Sequence, residues 1–95
     1  MSRGSIVVSD PWDVVSALGS EPLPGILEIR ADGSATFQLD RPVAVNGVAM
    51  KFAEVTNRHL GMKFAVHCSA VPANIVLWSD DRASSCSAIG TVSVV

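Results

Sequence analysis

Tyrosine is absent from this 95-residue chain, aromatic residues make up only 5% of it, and it has two cysteines, Cys68 and Cys86. Two thiols supply no disulfide framework, so folding has to rest on apolar burial. Long apolar runs are missing as well. Ile6 to Val8 is too short for the core of a signal peptide, and nothing approaches the roughly 20 residues of a membrane span. These absences lead to the expectation of a cytoplasmic protein with both thiols reduced. The alternative is one Cys68–Cys86 bridge, should strand pairing bring the two residues together.

Charge is also scarce. Charged residues are 17% of the chain, against roughly 25% in an average soluble domain. The net charge is -2 and the isoelectric point about 5.5, which gives no general attraction to nucleic acid or anionic lipid. The segment 50–68 departs from that average: Lys51, Arg58 and Lys63 face only Glu54, and both histidines, His59 and His67, lie there.

Motifs that carry chemistry are missing too. No glycine-rich turn leads into Lys-Ser or Lys-Thr, so there is no phosphate loop. Asp80-Asp81 lack the other ligand positions of a calcium loop and read as a solvated turn. His59, His67, Cys68 and Cys86 lack the paired spacing of a zinc site. His67 and Cys68 are neighbours on a predicted strand and point to opposite faces, so they form no dyad. Cys86 near Asp80 and Asp81 is the remaining nucleophile set, and any short polar loop offers as much. The expectation is no catalytic residue, no metal and no cofactor.

Apolar residues, by contrast, are plentiful at 48%. They suffice for one core, and 95 residues leave no room for a second, so residues 1–95 read as a single small domain. Gly, Pro, Asn and Asp clusters recur about every eight to twelve residues, between short runs rich in Val, Ile, Phe and Thr. This rhythm predicts a mainly β fold: about seven short antiparallel strands in a small barrel or sandwich.

One short helix is expected near the N-terminus, about Pro11 to Leu18. Ser9 or Asp10 would cap it, Pro11 suits its first position, and Gly19 would end it in a left-handed conformation. Asp13 adds negative charge at the positive end of the helix. Pro11, Val14, Val15 and Leu18 share one face, with Trp12 on its border. Such a helix would plug one end of the barrel or cover one face. Glu21 to Gly25 reads as a stiff connector.

Two hairpins can be placed in register. Around Ala31-Asp32-Gly33, a three-residue loop pairs Leu27 with Phe37 and Ile29 with Ala35, and Glu28 with Thr36; only this choice separates apolar from polar faces. Asn46-Gly47 is a two-residue turn that pairs Val45 with Val48 and Val43 with Met50. Beyond it, Val48, Met50 and Phe52 are expected inside and Ala49, Lys51 and Ala53 outside. A further strand alternates from Met62 to Cys68, with Phe64 inside. "NIVLWS", Asn74 to Ser79, is apolar on both faces. The last strand includes Gly90, which marks a bulge or bend.

The opening "VSDPWDVVSALG" followed by "PLPGILEI" resembles short uncharacterised bacterial proteins that begin with a strand, a DPW-acid helix ending in Leu-Gly, and a second strand. The resemblance covers about the first thirty residues. It implies a shared start to the fold and a mobile-element or defence-related setting, and it brings no site residues.

What remains is binding. Trp12 and Trp78 read structurally as anchors at the rim of the core, with each indole N–H on a backbone carbonyl. Functionally, Trp12 beside Asp13, and Trp78, are candidates to hold another protein. A small acidic domain of this kind fits an immunity protein, an inhibitor or an accessory subunit, and a homodimer joined at a sheet edge is compatible. The alternative is a barrel that binds single-stranded nucleic acid through Lys51, Arg58, Lys63 and His67, although the phenylalanines needed for stacking are expected inside.

Overall fold

Alternation of apolar and small polar residues builds the first strand, β1 (Ser2–Asp10), in which Gly4, Ile6 and Val8 point inward. The structure, a computed structural model, describes residues 2–19, 21–31, 34–57 and 70–94. After β1 come one helix, α1 (Trp12–Leu18), and five more strands: β2 (Leu23–Ile29), β3 (Ala35–Val45), β4 (Val48–Asn57), β5 (Val71–Ser79) and β6 (Ser85–Val94). Each strand pairs antiparallel with the next, and β6 pairs back onto β1. The result is a closed, mainly β barrel of six described strands. The predicted strand Met62–Cys68 lies outside the described residues, as do Asp32 and Gly33.

Both hairpins have the predicted registers. Leu27 faces Phe37, Glu28 faces Thr36, and Ile29 faces Ala35. Val45 faces Val48 and Val43 faces Met50. At the second turn Asn46 and Gly47 have φ of 51° and 79°, the pair of positive values that a two-residue turn needs to match strand twist.

Inside, large side chains alternate with small ones, as a narrow barrel requires. Phe37, Ile6, Leu27, Ile75, Leu77, Val45, Val55 and Val92 are fully buried, interleaved with Ala35, Ala53, Ala73 and Ala88. Gly90 fits tightly against β1: a Cβ there would lie 1.9 Å from the Val7 carbonyl oxygen. The predicted irregularity is present at this point, since the β1–β6 register shifts between Val8, opposite Gly90, and Asp10, opposite Ile89.

β2 is short, and this explains the position of the helix. Its ladder with β1 stops at Ile6–Leu23, and its ladder with β3 at Gly25–Leu39. Above that level β1 and β3 have no strand between them. α1 packs against both and sends Val14 into the core, with Val15 and Leu18 alongside. It therefore completes the end of the barrel where β2 falls short.

Several expectations need correction. Neither Ser9 nor Asp10 caps the helix. The Ser9 hydroxyl donates to the Ile89 carbonyl (3.1 Å), Asp10 belongs to β1, and Pro11 (φ −76°, ψ 169°) is the N-cap, with no side-chain capping bond. The Asp10–Pro11 peptide is cis. Gly19 ends the helix with φ 80° and ψ 176°, so its φ is positive but its ψ is extended. Leu23 to Gly25 are strand, not connector; Pro24 pairs with Ser5 where β2 has no β3 neighbour to miss its N–H. In β4 the alternation reverses: Ala53 and Val55 are buried and Phe52 is only half-buried. An extra residue, Lys51, separates Met50–Ser79 from Phe52–Trp78 in the β4–β5 ladder, and such a bulge turns every later side chain over.

Closure also limits the sheet-edge homodimer considered from the sequence. Among the described residues, the longest stretch without a ladder partner on one side is Asp40 to Val45, facing away from β4. Pro42 removes a donor from that edge.

Candidate functional site

The outward side chains of β6 are small near its start: Ser85 and Ser87 precede Ile89. On β5 the outward residues are larger, Asn74, Val76 and Trp78. The register sets Ile89 opposite Asn74 and Ser87 opposite Val76. A small side chain beside larger ones leaves a hollow, and a groove of about 530 Å³ lies there, lined by Asp10, Pro11, Asn74, Val76, Ser87 and Ile89 over a floor of Ile75 and Ala88.

Neither tryptophan lines this groove, but each is close in sequence to a residue that does. Trp12 follows Pro11 directly and is 77% exposed, the most exposed large apolar residue described. Trp78 is half-buried and two residues beyond Val76 on the same face of β5, about 7 Å along the strand. The core-rim position expected for Trp12 is therefore not what the structure shows. At 100° per residue, Trp12 is about 160° round the helix from Val14, and Val14 is the residue that enters the barrel. Asp13 is exposed in the first turn. Its charge reaches Cys86 on β6: burial first, and Asp13 second, push the half-buried Cys86 thiol above its ordinary range. Cys86 is free, and Cys68 lies outside the described residues.

A second outer cluster surrounds Phe52, which pairs with Trp78. The Arg82 guanidinium lies 5.6 Å from the Phe52 ring centre. Glu54 holds Arg30 through two bonds of 2.9 and 3.1 Å and faces Arg82 at 3.7 Å. Arg30 also donates to Thr36. Lys51 faces Asp80 at 3.8 Å. Of the residues assigned to a nucleic-acid face, only Lys51 is described; Arg58, Lys63 and His67 lie outside the described residues, as does His59.

Asp80 and Asp81 are spent locally. Asp81 accepts from the Ser79 hydroxyl (2.6 Å) and the Ala83 N–H (3.0 Å), and these bonds hold its carboxyl below the usual carboxylate range. Among the described residues, no three His, Cys, Asp or Glu side chains are placed to hold a metal, and no helix is long and apolar enough to cross a membrane.

The sequence points to both tryptophans but not to the groove beside them. Pro11 reads as a helix start and Ile89 as part of the last strand, and the shifted β1–β6 register brings them to one groove. Val76 did give a signal: a strand apolar on both faces leaves an apolar residue outside. In comparisons with known proteins, the chain matches no family model, no curated protein and no solved structure.

Proposed function

We propose that this protein is a non-catalytic binding module for another protein, of the immunity, inhibitor or accessory-subunit type, working in the cytoplasm. The observation that carries the reading is Trp12: a large apolar side chain, 77% exposed, on a helix fixed to the barrel by Val14. An indole this exposed contributes little to the fold and leaves its apolar face open to a partner, and tryptophan is enriched among residues that dominate interface energies. A partner ridge seated in the groove would bury Trp12, Pro11, Ile89, Val76 and the outer edge of Trp78. Asp10 and Asp13 form an acidic rim that sets orientation and favours a basic counterpart. The resemblance of the opening stretch to short bacterial proteins supports a defence-related setting and nothing finer.

The test is capture from the native host with wild-type protein and with Trp12→Ala and Ile89→Asp variants. A specific partner held by wild type should be lost or weakened by about 30-fold or more in Trp12→Ala, the loss of about 2 kcal/mol typical of an interface anchor. A partner retained equally by both variants overturns this reading.

Single-stranded nucleic-acid binding is the second reading, and the outward position of Phe52 beside Trp78 favours it by supplying a stacking surface. It ranks lower because Arg30, Arg82 and Lys51 already face Glu54 or Asp80. Oligonucleotide binding that falls steeply with salt and is lost in a Lys51/Arg58/Lys63 triple alanine variant would put it first.

A further inference from the structure

A separate recess opens where β2 begins and β3 leaves it. It holds about 500 Å³ and is lined by Leu23, Pro24, Leu39, Asp40, Arg41, Pro42 and Val43. Its origin is an irregularity in β3. The β3–β4 register shifts between Gln38–Phe52 and Val43–Met50, so four residues of β3, Leu39 to Pro42, lie opposite one of β4. Bulges of this kind re-aim side chains and recur beside functional sites.

The recess is apolar in its walls and cationic at its rim. Leu39 is buried, and Leu23 and Val43 pack against the core from either side. Arg3 takes both oxygens of Asp40 at 2.9 and 2.5 Å, so Asp40 acts on Arg41 only through its field, after its bond to Arg3. Arg41 is exposed and has no carboxylate at ion-pair distance among the described residues. Arg3, Asp40 and Arg41 together leave one positive charge beside an apolar hollow.

We propose that this recess binds a small amphipathic carboxylate, with its acid group on the Arg41 guanidinium and its apolar tail against Leu23, Leu39 and Val43. The planar guanidinium fork matches a carboxylate through two parallel hydrogen bonds. The volume lies within the roughly 300–1,000 Å³ of small-molecule sites. An added peptide strand is the poorer occupant, because Pro24 and Pro42 deprive both walls of N–H donors and a strand would need them. The two rings also stiffen the walls, which reduces the ordering that binding requires. This site shares no residue with the β5–β6 groove and stands or falls apart from the protein-binding reading.

The test uses octanoate and 1-octanol, two probes with the same tail and different head groups, titrated into isotopically labelled protein and followed by amide chemical shifts. Octanoate should shift Leu23, Leu39, Arg41 and Val43 saturably and bind about tenfold more tightly than octanol, the difference expected of one charge-assisted contact near the surface. In Arg41→Gln the octanoate affinity should fall to that of octanol, while octanol binding and the amide shifts of Leu27 and Phe37 stay unchanged. Equal affinity for the two probes, undiminished octanoate binding in Arg41→Gln, shifts centred on Ile89 and Val76 instead, or no saturable shifts at all would each overturn the proposal.

Discussion

Replacing Trp12 by alanine separates a surface anchor from a core residue. Since 77% of Trp12 is exposed, only about a quarter of its surface is covered, on the order of 50 Å² for a side chain of this size. At about 25 cal/mol per Å², the burial that is lost amounts to roughly 1.3 kcal/mol as an upper bound. Alanine returns about half a kcal/mol through its higher helix propensity. Trp12→Ala should therefore destabilise the fold by less than about 1 kcal/mol. Leu77→Ala is the control: Leu77 is fully buried, and its truncation should cost about 2–5 kcal/mol. Urea unfolding followed by fluorescence suits both variants, because Trp78 remains as the only tryptophan in Trp12→Ala. A loss above about 3 kcal/mol for Trp12→Ala would mean that the side chain is structural, and the binding reading would lose its anchor.

Three further perturbations test other parts of the structure. Gly90→Ala sets a methyl group 1.9 Å from the Val7 carbonyl oxygen and should cost about 3 kcal/mol or more by prying β6 from β1; near-native stability by thermal melting would show that the strands are not so close. Asp81→Asn removes the ionised acceptor of the Ser79 hydroxyl and the Ala83 N–H. The folded carboxyl titrates below its unfolded value, so its contribution is present above the ordinary carboxylate range and fades as pH falls through the folded value. The urea-midpoint gap between wild type and Asp81→Asn should thus be clear at pH 6 and shrink on acidification below the ordinary carboxylate range; a gap that does not depend on pH counts against these bonds. For Cys86, burial and then Asp13 both favour the neutral thiol. In a Cys68→Ser background, alkylation by iodoacetamide should show a pH midpoint above that of an ordinary thiol, and Asp13→Asn should lower it; a midpoint at or below the ordinary value would contradict the described surroundings.

Strand pairing was legible because its determinants are local. Asn46-Gly47 specifies both the turn and the register, and the faces of "ILEIR" and "SATFQL" match in only one way. The Lys51 bulge was not legible, since a single inserted residue carries no mark of its own and yet moved Phe52 outside and Ala53 inside. The helix was placed correctly but its cap was not, because the Ser9 hydroxyl has a better use across the β1–β6 ladder, with a carbonyl 80 residues away. The two candidate sites were only half legible for the same reason. Trp12, Asp13 and Trp78 could be named from residue type, but the hollow beside Pro11 and Ile89 and the recess beside Arg41 come from long-range register and irregular pairing, which no short window contains.

The ring of strands has a consequence for how the chain is made. β1 cannot complete its second set of backbone bonds until β6 exists, and 74 residues separate the end of one from the start of the other. At a ribosome adding about 5–20 residues per second, the first strand waits roughly 4 to 15 s with one edge unpaired. Until β6 arrives the nascent chain carries an unpaired β1 edge, the kind of edge on which a neighbouring copy can add.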